Sequence, residues 1–102
     1  MKREEFFIFL TNDFISQTKG HPLGYQAARD ALARCRRIEK VLKIDLDDVL
    51  IGDDLSLNCI LNEIDSKRME FKISGNLNNG LTSIKNGARR YNDFVGVKKA
   101  SI

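Results

Sequence analysis

The chain has no apolar run near the roughly 20 residues needed to span a bilayer, so a membrane-spanning helix is excluded from its sequence. The short run Phe6-Phe7-Ile8-Phe9-Leu10 is too brief for a signal-peptide core, and Asn12-Asp13 interrupts it. Cysteine occurs twice, at Cys35 and Cys59, far apart and with no Cys-x-x-Cys spacing. That excludes a disulfide framework and a zinc site. Both cysteines sit among apolar neighbours and read as buried free thiols, which suits a reducing cytoplasm. Histidine occurs once, as His21 in Gly20-His21-Pro22 beside the only proline. One loop histidine with no nucleophile or orienting carboxylate is not a catalytic set.

What is present fits one domain. A length of 102 residues supports a single core, and 42% hydrophobic with 30% charged residues is ordinary for a globular protein. The net charge of +3 permits a polyanionic partner without requiring one, so the placement of the cations decides more than their number.

Helical periodicity dominates the chain and predicts an all-α bundle of about five helices. The first covers residues 3–19 within segment 1–19, with Phe6, Phe7, Leu10 and Phe14 at helical spacing and Glu4 and Glu5 in the first turn, where a helix dipole favours anions. Phe9, Phe6 and Phe7 cannot all be buried on one helical face, so exposed aromatics are expected there, Phe9 first. Residues 23–43 form the longest helix, with Tyr25, Ala28, Leu32, Cys35, Ile38 and Leu42 as its apolar line. Residues 45–51 make a short helix capped by Asp45, with Asp48 completing a capping-box-like pair. Gly52 stops it, and Asp53 or Asp54 caps the next, residues 55–67, with Leu57, Ile60, Leu61 and Ile64 inward. Residues 69–74 alternate apolar and polar and are the one candidate extended segment. The turn-rich stretch 74–80 leads to a last helix over 81–95, with Leu81, Ile84, Ala88, Tyr91 and Val95 inward and a frayed tail.

Several stretches suggest chemistry and fail on spacing. The aspartates at 45, 47, 48, 53 and 54 lack the central glycine and closing glutamate of a calcium loop and read as helix caps. Asp65-Ser66-Lys67 has the residues of a nuclease triplet in a helical setting, without the sheet that such a site needs. Tyr91 follows Arg89-Arg90 but lies on the apolar line, so it reads as core. Gly75 to Gly80 is not followed by the Gly-Lys-Ser/Thr ending of a phosphate loop. The sequence therefore predicts no enzyme, no cofactor and no metal.

The cations carry the functional reading. At about 100° per residue, Arg29, Arg36, Lys40 and Lys43 fall in one stripe beside the apolar face of the long helix. Arg34 and Arg37 lie further round, and Asp30 and Glu39 interrupt the basic surface. The stripe covers about 20 Å at 1.5 Å rise per residue, comparable with several phosphates along a DNA strand. Lys85, Arg89 and Arg90 form a second basic group on the last helix. A solvated face is the competing reading, with Asp30–Arg34 and Glu39–Lys43 as ordinary i,i+4 pairs.

Residues Tyr25, Arg34-Cys35-Arg36-Arg37-Ile38-Glu39, Ile44-Asp45-Leu46-Asp47, Ser74-Gly75, Gly80-Leu81-Thr82-Ser83-Ile84-Lys85 and Tyr91-Asn92-Asp93-Phe94 together form a pattern over most of the chain. It resembles a small helical module on the N-terminal side of restriction-endonuclease-like proteins. More loosely, the helical order is similar to the SAM-like core-binding domain of phage integrases. The resemblance implies DNA contact through Arg36, Arg37, Lys40, Lys85 and Arg89. No nuclease or recombinase domain follows Phe94 in this sequence, so the expectation is either a stand-alone version or a piece of a longer chain, with Met1 and the short tail favouring the first. The expectation is a cytoplasmic, non-enzymatic DNA-binding domain linked to restriction or mobile-element DNA metabolism. Its rival is a small adaptor or inhibitor that docks a protein through the basic face or exposed aromatics; a homodimer fits either.

Overall fold

The computed structural model describes residues 1–13 and 23–100, with side chains at 1–12 and 23–97. Helix α1, Arg3–Ile8, passes into a π-helical turn, Phe9–Asp13. Then follow α2, Tyr25–Leu42, α3, Leu46–Val49, α4, Asp54–Ser66, a 3₁₀ turn, Arg68–Phe71, and α5, Leu77–Ala100. The fold is all-α, and the described residues hold no strand. Residues 14–19 of the expected first helix, with Gly20-His21-Pro22, lie outside the described residues.

Local chemistry sets each boundary. In the π turn the Thr11 hydroxyl donates to the Phe7 carbonyl at 3.0 Å and the Asn12 amide donates to the Ile8 carbonyl at 3.0 Å. These side chains serve carbonyls at a place where the regular ladder is interrupted. Phe6, Phe9 and Leu10, at the i, i+3, i+4 spacing of one helical face, are all buried, leaving Phe7 half-buried and Ile8 exposed. Phe9, expected to be exposed, is thus a core residue. Asp45 caps α3 by accepting the Asp47 N–H at 2.9 Å, and Asp53 caps α4 by accepting the Ser56 N–H at 2.8 Å.

Two expectations near α5 are corrected. Residues 69–74 are not extended: the 3₁₀ turn carries Phe71 into the core, and Lys72 follows in the left-handed region at φ 50°. The last helix begins at Leu77, four residues before the expected start, and runs past 95 to Ala100. Asn76 caps it by accepting the Asn79 N–H at 3.1 Å, so asparagines that read as turn formers serve the first helical turn. Gly80 lies inside that turn because Ile73 packs over it. A Cβ there would come within 2.2 Å of Ile73 Cγ2.

The core lies where α2 and α4 pack against α5. Small residues bring α2 and α5 together: Ala31 and Cys35 lie against Gly87, and Cys35 Sγ donates to the Gly87 carbonyl at 3.2 Å. Burial pushes the Cys35 thiol up to about 12, the character of an inert core thiol. Cys59, expected to be buried, is exposed. It shares the outer face of α4 with Leu55 and Asn62, while Ile60 and Ile64 turn inward. Tyr25 is also exposed although the apolar line of α2 includes it, because that line begins to meet the core only at Ala28.

Gly52 joins α3 to α4 at φ 91° and lies against the backbone of Gly96. Its N–H donates to the buried Asn92 Oδ1 at 3.0 Å, and Asn92 Nδ2 donates to the Asp53 carbonyl at 3.1 Å. A Cβ on Gly52 would stand 2.8 Å from Gly96 Cα. Gly52→Ala is therefore expected to lose about 1–2 kcal/mol to the left-handed backbone alone, and more to the clash. Chemical denaturation of the two proteins side by side measures it, and an unchanged midpoint would contradict the packing described.

Candidate nucleic-acid interface

Helix α2 exists because its sequence favours it: Ala27, Ala28, Ala31 and Ala33 supply high helix propensity. Once Ala28, Ala31, Cys35, Ile38 and Leu42 turn inward, the helix period places Arg29, Ala33, Arg36 and Lys40 along one exposed edge. Helix α1 packs beside that edge and adds Arg3. Arg3, Ala33, Arg36, Arg37, Glu39 and Lys40 line a shallow cleft of about 510 Å³. Sequence reasoning missed Arg3. Its signal was the spacing of three from Phe6 and four from Phe7, but only the docking of α1 shows which edge meets α2.

The acids that interrupt this surface are engaged elsewhere. Glu39 Oε2 accepts the Leu46 N–H at 2.9 Å and lies 3.4 Å from the Met1 amine. Asp30 accepts from Gln26 Nε2 at 3.1 Å, in place of the expected pair with Arg34. Among the described residues, no carboxylate forms an ion pair with Arg3, Arg29, Arg36 or Lys40. Arg29 instead lies 5.6 Å from the centroid of the Tyr25 ring, a cation–π distance.

The other predicted cations separate. Arg37 borders the cleft, yet its guanidinium donates to the Phe71 carbonyl and so ties α2 to the 3₁₀ turn. Lys43 ends α2 in the left-handed region at φ 57° and faces a second hollow with Glu39, Asp45 and Asp48. Arg34 packs at Gly87 on the edge of α2 that meets α5, near Arg90. Burial, and then the like charge of Arg34, hold the Arg90 guanidinium below its ordinary value. Lys85 pairs with Asp65 of α4 at 2.7 Å, and Arg89 donates to Asn86 Oδ1 at 2.8 Å. The two basic segments thus meet only where Arg34 nears Arg90, and none of the three cations of the last helix lines the cleft.

Comparison with protein-family models, curated proteins and solved structures gives no match.

A carboxylate-rich corner backs the cleft. The Met1 amine donates to Asp45 Oδ1 at 2.7 Å, and the Tyr91 hydroxyl donates to Asp47 while accepting the Lys2 N–H at 2.9 Å. Burial opposes protonation of the amine, but the Asp45 hydrogen bond and the charges of Glu39, Asp45 and Asp47 outweigh it and raise its pKa. Burial and then Asp47 push the Tyr91 hydroxyl well above its usual range. Tyr91 is thereby a buried, protonated bridge between α5, α3 and the segment before α1, and offers no nucleophile. Among the described residues, no three His, Cys, Asp or Glu side chains gather as ligands for a metal ion. No helix among them is long and apolar enough to cross a membrane.

Proposed function

We propose that this chain is a non-enzymatic DNA-binding domain whose α1–α2 face contacts the phosphate backbone. One observation carries the reading: Arg3, Arg36 and Lys40 line one cleft, Arg29 continues the same exposed edge of α2, and the two acids of α2, Asp30 and Glu39, are hydrogen-bonded elsewhere. Residues 29 to 40 cover about 16 Å of helix at 1.5 Å per residue. One DNA strand rises over the same length in about five nucleotides at 3.4 Å each. Cations held at that spacing displace counterions from phosphates without reading base edges. A role in restriction or mobile-element DNA metabolism follows the resemblance of the residues quoted above.

Titration of duplex DNA with the protein across a salt series tests this. Each neutralised phosphate contributes about 0.9 to the slope of log affinity against log salt, so four contacts give a slope of about −3 to −4. Affinity that does not fall with salt, or no binding at about 50 mM, would sink the proposal.

The second reading is a protein-docking factor. Ile8 is 57% and Tyr25 65% exposed, and both flank the basic face. An acidic partner carrying an apolar anchor would suit that combination. The same titration separates the two, because this reading predicts no DNA complex.

A further inference from the structure

We infer that the α1–α2 face takes single-stranded DNA, its phosphates on the basic edge of α2 and an unpaired base stacked at Tyr25. This rests on the phosphate-contact reading above and adds the strand state of the ligand. Tyr25 opens α2 and keeps 65% of its surface exposed, unusual for an aromatic ring of the apolar line. The ring is not loose: Phe7 meets it edge to face at 5.5 Å and an interplanar angle of 76°, and Arg29 lies 5.6 Å from its centroid. Beside it, Arg3, Glu4, Phe7, Ile8 and Leu32 line an open hollow of about 340 Å³, mostly apolar in its walls.

A duplex has no use for such a surface. Its bases are stacked internally, and its outside presents phosphates, sugars and base edges. Unpaired bases have π faces to bury, and aromatic rings beside a cationic track are how single strands are held without sequence preference. Here the sequence of groups along one helix edge is Tyr25, Arg29, Arg36, Lys40, so a ring begins the track and the cations continue it. Arg29 serves both parts, since a guanidinium stacks on a base as well as pairing with a phosphate. Glu4 is the one acid among the residues that line the hollow.

The test uses the whole chain with a labelled oligothymidylate and a duplex of equal length. The unmodified protein should bind the single strand more tightly. Tyr25→Ala should weaken single-strand binding about tenfold and leave duplex binding unchanged, while Tyr25→Phe should retain the single-strand affinity. Tyrosine emission gives a second readout, because the chain has two tyrosines and no tryptophan, and Tyr91 is buried. Oligothymidylate should quench the emission of the unmodified protein and spare that of Tyr25→Phe. If Tyr25→Ala changes neither affinity, or both equally, the stacking site is wrong and the phosphate face stands. If neither nucleic acid binds, both readings fall.

Discussion

Reversing Arg36 and Lys40 together to glutamate is expected to weaken duplex DNA binding on the order of 100-fold at low salt and to flatten the salt slope by about two units. Two phosphate contacts are removed and two repulsive charges take their place at the centre of the cationic edge. Both side chains are exposed and neither has a carboxylate partner among the described residues, so folding has little to lose. Surface changes of this kind usually stay within about 0.5 kcal/mol. Lys85→Glu with Arg89→Glu is the matched control. It reverses the same number of cations, but on α5, where Lys85 pairs with Asp65 at 2.7 Å and neither residue lines the cleft. Fluorescence anisotropy with the two variants decides whether position or net charge matters. Equal losses would mean that bulk charge drives binding and that the α1–α2 edge is no interface. Full affinity in the double variant would shift the weight to a protein partner.

The edge itself was legible in the sequence because it belongs to a single helix. Period alone separates Ala28, Cys35, Ile38 and Leu42 from Arg29, Arg36 and Lys40, and α2 is long enough for the pattern to repeat. The fates of the other cations depend on what other elements bring to them. Arg37 meets the Phe71 carbonyl and Lys85 meets Asp65 only after the 3₁₀ turn and α4 have packed. No local rule marks a side chain as spoken for by a residue tens of positions away. Arg3 illustrates the converse: only the docking of α1 beside α2 puts it on the basic edge. The start of α5 was hidden by chemistry with two meanings, since asparagine and glycine mark turns and also serve helix caps and close contacts. Phe9 was misjudged because an apolar line through Phe6, Phe7 and Leu10 leaves it out, whereas Phe6, Phe9 and Leu10 hold the i, i+3, i+4 spacing of one helical face and are the residues buried.

Phe6→Ala is expected to cost about 3–5 kcal/mol, the range for emptying a buried aromatic site. Phe6 has no exposed surface and meets Tyr91 edge-on at 4.9 Å and Phe94 at 5.6 Å. Phe9 reaches the same Phe94 ring at 5.6 Å, so the aromatic cluster is what holds α1 and its π turn to α5. Such ring pairs add about 0.5–1.5 kcal/mol beyond their burial. Against a total of roughly 5–15 kcal/mol for a domain, this single change removes a large share of the margin. In a chain of this size each kcal/mol moves the midpoint by about 4–8 °C, so thermal unfolding should come roughly 15–30 °C earlier. Circular dichroism follows it, since the chain has no tryptophan to report by fluorescence. Phe6→Leu keeps most of the volume and should lose far less, which separates the cavity from any general intolerance at the position. The consequence reaches the functional face, because Phe6 anchors the helix that carries Arg3 and Phe7. Where Phe6→Ala is still folded, a loosened α1 should lower DNA affinity modestly while the contribution of Arg36 and Lys40 persists. A loss below about 1 kcal/mol would show that α1 covers the core only weakly, and Arg3 would then have no fixed place beside α2.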